Sequence, residues 1–157
     1  MEYIFADKTQ REHDMVLDII RGWGSDILVT RGKIHRVEDL EGILVFADEK
    51  IAGLGLYTIT GSQCEIVLLE TIIQNEGIGS RLIEKIKEKA KARDCRRIWL
   101  ITTNVNINAL KFYQKRGFHF SNIYINAMEE SRRIKPEIPL SENGIDIRDE
   151  IEFEMEI

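Results

Sequence analysis

The chain has 157 residues, 43% of them apolar and 31% charged, with a formal net charge of −5. That length predicts a single domain with a real core, and the balance places it among ordinary soluble globular proteins. The negative charge argues against a general nucleic-acid binder, no apolar run approaches bilayer length, and two cysteines give no disulfide framework.

The start of the chain lacks the basic residues and apolar core of a signal peptide, so the expected compartment is the cytoplasm. Residues 3–6 read as a short strand. Over 11–21, Met15, Val16, Ile19 and Ile20 recur at helical spacing until Gly22 and Gly24 end the pattern. Residues 27–30 and 43–46 are short strands, and the polar stretch 31–42 between them shows no clear period. Residues 51–59 read as a strand paired to its predecessor through 48–50. The nearly continuous apolar run over 64–73 predicts a strand buried on both faces.

After Gly79 a helix buries Leu82, Ile83, Ile86 and Ala90. Its lysines alternate with Glu84 and Glu88 as a solvated face. A buried strand over 97–103 follows, then a helix over 106–116 that stops at Gly117. Residues 118–128 return as a strand. The link 131–139 holds both prolines and is expected to be extended. Over 150–157, Ile151, Phe153, Met155 and Ile157 alternate with glutamates, which predicts a half-buried strand with one acidic face. The order of elements predicts a mixed α/β sheet with helices on both sides.

The turn between the strand ending near Ile73 and the helix starting near Ser80 carries the most information. It reads Gln74-Asn75-Glu76-Gly77-Ile78-Gly79-Ser80. A strand that turns through paired glycines into a helix aims backbone N–H groups and the positive helix end at one point, which suits a phosphate. One strand and one helix later comes Asn106-x-x-Ala109-x-x-Phe112-Tyr113-x-x-x-Gly117-Phe118. Together, Gln-x-x-Gly-x-Gly and this second motif resemble the GNAT N-acetyltransferase superfamily, best over about residues 43–128. The tail at 131–139 and 144–152, with Trp23-Gly24-Ser25 and Arg31-Gly32-x-x-His35, resembles a recurring bacterial subgroup of it.

The resemblance implies an α/β fold over residues 1–157: a mixed, mostly antiparallel sheet with helices on both faces. It implies acetyl-CoA as acetyl donor, direct transfer, and a small-molecule or peptide amine as acceptor. Coenzyme A contacts would come from Thr71, Ile72, Gln74, Asn75, Glu76, Gly77, Ile78, Gly79 and Ser80, and from Asn104, Asn106 and Tyr113. Asn104 and Asn106 serve equally well as helix N-caps.

Transfer needs a proton donor for the leaving thiolate and a base for the amine. Tyr113, at the family's tyrosine position, is the candidate acid, since a phenol stays protonated near neutral pH. Glu70 is the candidate base. Glu65 is its rival, and a water chain is a third route. An offset of five puts the two glutamates on opposite faces of a regular strand, so they share a face only across a bulge.

No cysteine has a nucleophile context, and the histidines have no companions at metal-ligand spacing. Two other readings stay open: an acyl-CoA-binding module with little catalysis, and a nucleotide-phosphate protein using the same turn. An acidic rim at Glu152–Glu156 would favour cationic amines, and the strand at 151–157 leaves a homodimer open.

Overall fold

The computed structural model describes residues 2–22, 24–74 and 76–157. Trp23 and Asn75, both part of the motifs above, lie outside the described residues. In chain order the elements are β1 (Tyr3–Asp7), α1 (His13–Arg21), β2 (Ile27–Thr30), β3 (Lys33–Arg36), β4 (Glu41–Ala47), β5 (Lys50–Thr60), β6 (Gln63–Thr71), α2 (Ile78–Ala92), β7 (Arg97–Thr103), α3 (Ile107–Lys115), β8 (His119–Tyr124), α4 (Met128–Ile134), β9 (Ser141–Glu142), β10 (Ile145–Asp146) and β11 (Glu150–Glu156). They form two compact units. The first holds Met1–His13, Glu38–Ile98 and Glu156–Ile157; the second holds Asp14–Val37 and Trp99–Met155.

In the first unit the strands lie in the order β1-β4-β5-β6, each antiparallel to its neighbour. The apolar stripe of α2 (Leu82, Ile83, Ile86 and Ala90) is buried as its spacing predicts. Two glycines let the helix lie close to β5. A Cβ on Gly53 would stand 2.9 Å from Ile78 Cγ2, and one on Gly55 would stand 2.8 Å from Ile86 Cδ1.

Two bulges shape the sheet. Val45 pairs with Gly53 while Phe46 pairs with Ile51, so Ala52 is the extra residue of β5. Leu56 pairs with Leu68 while Tyr57 pairs with Ile66, so Val67 is the extra residue of β6. The Ala52 carbonyl then accepts from the N–H groups of both Ile72 (2.8 Å) and Ile73 (3.2 Å), which fixes where β6 ends.

In the second unit, β2 and β3 form a hairpin turned by Arg31 (φ 50°) and Gly32 (φ 71°), the left-handed pair a two-residue loop requires. This resolves part of the stretch whose sequence shows no period. A short charged strand with one inward side chain, His35, leaves too little alternation to read. β7, β11 and β8 are neighbours in that order, with β11 antiparallel to β8 and Ser121 the extra residue of a bulge.

Three expectations are corrected here. The strand after Gly117 stops at Tyr124 rather than 128, because Asn126 turns at φ 62° and its N–H is held by Asp149 Oδ1 at 2.8 Å. The link 131–139 is not extended throughout, since α4 runs to Ile134. Glu129 and Glu130 in its first turn and Arg132 and Arg133 in its last suit the helix dipole, and only the approach to Pro136 ends it. The glutamate face of β11 is not simply exposed. Glu150 is buried against Arg31 (3.4 Å), Tyr124 donates to Glu152 at 3.0 Å, and His119 lies 3.6 Å from Glu154.

Among the described residues no helix is long and apolar enough to cross a membrane.

Candidate functional site

The predicted site residues fall into two groups, one in each unit. In the first, β6 ends at Thr71 and α2 begins at Ile78, with the glycine turn between them. Gln74 folds back so that its side-chain amide donates to the Thr71 carbonyl at 2.6 Å, closing the turn on itself. Gly77 is the N-cap of α2 at φ 72° and ψ 12°, a left-handed conformation that glycine reaches at little cost. It offers no side chain to cap the helix, and among the described residues no atom outside its chain neighbours lies within 4 Å of where its Cβ would be. The first-turn N–H groups of a helix have no backbone partner within it, and Gly77 itself supplies no side-chain cap. At the positive end of this 15-residue helix, Ile72, Glu76 and Gly77 are exposed. These are the properties needed to hold a phosphate group through the main chain.

Glu70 stands one residue before the end of β6. Its partner in β5 is Leu54, and Glu65 pairs with Thr58. Those partners are four apart in β5, so the Val67 bulge brings the two glutamates to the same face. That face is turned away from α2, because the neighbouring Leu69 packs beside Gly55 on the helix side. Glu70 is half-buried, and burial pushes its carboxyl up from the ordinary value, towards a better proton acceptor. Glu65 is fully buried.

In the second unit, α3 holds Tyr113 in a cluster of rings. Phe112 and Phe118 meet it edge-on at 5.1 and 5.4 Å, and Phe153 lies at 5.9 Å. This burial pushes the phenol well up, with Arg116 pulling weakly the other way, so Tyr113 carries its proton at any working pH. Phe112 is half-buried under the Arg116 guanidinium, 3.6 Å above its ring.

Asn106 caps α3, its Oδ1 accepting from Ala109 N at 3.2 Å. The Asn104 side chain is committed to backbone. Its oxygen accepts from the N–H groups of Arg148 and Asp149 at 3.1 Å each, and its amide donates to Asp146 O at 2.9 Å.

Neither cysteine offers a thiolate. Both are buried, which raises each thiol, that of Cys64 to about 12. His35 is buried against Thr30 Oγ1 at 2.7 Å, and its pKa falls to about 4, chiefly through burial, with Lys33 adding to it. No group of His, Cys, Asp and Glu that could hold a metal is present among the described residues.

Two features escape the sequence reading. The Ala52 bulge that sets the end of β6 has no signature, because a bulge is a matter of pairing between strands. The Arg31–Glu150 contact spans 119 positions, with the Arg31 guanidinium also 3.4 Å over the Tyr124 ring. Arg31 is visible in sequence only as one residue of a motif.

The sequence model of the acetyltransferase (GNAT) family matches residues 7–118, and the chain belongs to that family. It is similar to YdhI of Bacillus subtilis (strain 168), a protein described as uncharacterized, at 43% identity over 155 residues, covering 98% of this chain and 97% of YdhI. The fold matches that of the IAA acetyltransferase from Bacillus cereus ATCC 14579 (TM-score 0.73, 20% identity, 99% and 100% of the two chains). It also matches a GNAT family acetyltransferase from Elizabethkingia anophelis crystallised with acetyl-CoA bound (TM-score 0.72, 22% identity, 99% and 98%). The α/β architecture expected from the motifs is thus the fold of this family.

Proposed function

We propose that this protein is an acetyl-CoA-dependent N-acetyltransferase that passes an acetyl group directly to an amine. The observation that carries the reading is the open, uncapped start of α2 at Gly77. Its main-chain N–H groups and positive helix end fit the pyrophosphate of coenzyme A, and Gln74, Glu76, Ile78, Gly79 and Ser80 belong to the same turn. Acetyl-CoA, when bound, supplies an activated acetyl thioester.

The amine nitrogen forms the new bond to the acetyl carbon as the carbon–sulfur bond breaks. Tyr113 gives its phenolic proton to the departing sulfur, and its raised pKa keeps that proton in place until then. Glu70 takes the proton the amine loses, directly or through water, and burial makes it a better acceptor. In this reading Thr71 and Ile72 contact the coenzyme A arm, Asn106 orients the Tyr113 helix, and Asn104 contributes through the 146–149 loop it holds. The buried, protonated thiols of Cys64 and Cys95 support direct transfer over an acyl-cysteine intermediate. The tail over 131–139 and 144–152 marks, in this reading, the bacterial subgroup it resembles.

The test begins with thermal-shift titrations of acetyl-CoA, ATP and NAD, followed by thiol release from acetyl-CoA against a panel of amines. The panel spans polyamines, aminoglycosides, neutral amines and peptides. A rise with acetyl-CoA alone and amine-dependent thiol release that falls about a hundredfold in Tyr113→Phe is the expected result. A rise without release from any amine favours an acyl-CoA-binding module. A rise with ATP and none with acetyl-CoA overturns the proposal.

A further inference from the structure

The transfer chemistry makes no use of the motif Ser131-Arg132-Arg133-x-Lys135-Pro136-Glu137-Ile138-Pro139, yet Arg132 within it is committed to three main-chain oxygens. Its Nε donates to Ile138 O at 3.2 Å, and one terminal nitrogen donates to both Pro139 O (2.8 Å) and Ile147 O (2.9 Å). A guanidinium carries its N–H donors in a rigid plane, so one side chain holds two chain segments at a fixed spacing. An ammonium on a flexible stem does not. The two segments here are the stretch leaving α4 and the loop 146–149 that leads into β11.

That loop is held from its other side by the end of β7. Asn104 is one residue past β7 and two before the N-cap of α3. Its side-chain oxygen accepts from Arg148 and Asp149, its amide donates to Asp146 O, and its main-chain N–H donates to Asp149 O at 3.2 Å. With Arg132 on Ile147, all four residues of the loop are tied down. α4 grips the loop a second time, since Met128 N donates to Arg148 O at 3.0 Å.

These contacts run without a break from α4 through the loop and Asn104 to α3. A helix of nine residues has little stability of its own, so its position comes from its packing and its ends. Tyr113 lies about two turns past the start of α3. A proton donor works only within hydrogen-bond reach of the atom it serves, so a small shift of α3 is costly to proton transfer.

We propose that Arg132 is a positioning residue for Tyr113: by pinning Ile147 to the tail it holds the loop 146–149 against Asn104, and so fixes where α3 begins. Arg132 acts through these contacts and not on the substrate. Its consequence for catalysis rests on the acetyl-transfer reading; the ordering of residues 104–110 does not.

Hydrogen–deuterium exchange, read by mass spectrometry well below the melting temperature, tests the two halves apart from each other. The native chain is compared with Arg132→Met, Arg132→Lys and Arg133→Met, the last a control for loss of a neighbouring charge. In Arg132→Met the amides of residues 104–110 and 146–149 are expected to exchange about tenfold faster, with those of α2 and β4–β6 unchanged. Arg132→Lys keeps the charge without the fork and is expected to fall between that variant and the native chain; it carries the test if Arg132→Met does not fold. Arg133→Met is expected to exchange as the native chain does. The proposal is overturned if residues 104–110 keep their native exchange in the Arg132 variants, if the whole chain loosens together, or if Arg133→Met loosens 104–110 equally. With acetyl-CoA and an accepted amine, kcat of Arg132→Met is expected to fall about tenfold while the KM for acetyl-CoA stays within about twofold, because the α2 turn is untouched. A native kcat beside faster exchange at 104–110 overturns the role in catalysis. If the native chain accepts no amine, the acetyl-transfer reading fails, and exchange still decides whether Arg132 braces α3.

Discussion

Glu70, the proposed base, is a residue at which the proposed function and stability pull in opposite directions. Its carboxyl is raised by burial, so the folded state favours the protonated form. That contribution to stability is complete below the ordinary value of 4.5 and is lost as pH rises through the raised one. Glu70→Gln therefore melts no lower than the native chain at pH 7–8, and the two converge near pH 4, as calorimetric scans over pH would record. If the residue is the base, the same variant loses most of its turnover. His35 has the opposite sign. Its pKa falls from 6.5 to about 4, so its contribution is present above 6.5 and fades as pH drops towards 4. Denaturant titrations of His35→Gln should show a flatter stability profile across that window than the native chain. Tyr113 was legible as a candidate site residue only through its motif. Periodicity alone would have made it one more buried aromatic, and its ring contacts describe it that way too.

At the scale of elements, α2 and the two glycines beneath it carry most of the argument. Gly55→Ala would set a Cβ against Ile86 in the helix–sheet interface, at an expected cost of about 1–3 kcal/mol in denaturant unfolding. Gly77→Ala meets open space, so its cost comes only from the left-handed backbone, about 1 kcal/mol. Its larger effect should appear in acetyl-CoA affinity, where the added methyl sits at the mouth of the turn. Comparing the two variants separates packing from ligand approach: the first loses stability with affinity kept, the second mainly affinity. The strands and helices flanking this region were readable because their apolar periods are long and regular. The bulges were not, since Ala52 and Val67 become extra residues only when a partner strand counts past them. The sequence spacing of Glu65 and Glu70 shows that they share a face only across a bulge; pairing between strands shows where that bulge lies.

For the molecule as a whole, binding at the α2 turn is linked to global stability. Acetyl-CoA at a hundred times its Kd should add about 2.7 kcal/mol, a rise of about 5–10 °C in melting temperature for a chain of this size. Calorimetry at several ligand concentrations checks both the rise and its logarithmic form. The surface ion pairs Lys89–Asp7 and Arg93–Glu41 are half-exposed, screened by solvent, and are expected to matter far less.

The amino-acid sequence by itself determined which segments are helices and strands in the best-patterned stretches, where the glycine turn before α2 sits, and to which family the chain is similar. Those are local properties, set by apolar period, glycine placement and the order of two motifs. Tertiary structure decided what no local pattern encodes: that Glu65 and Glu70 share a face, that Asn104 spends its side chain on the 146–149 loop, and that the glutamates of β11 meet partners. These outcomes depend on residues far apart in the chain, and burial and pairing between them exist only once the backbone has brought them together.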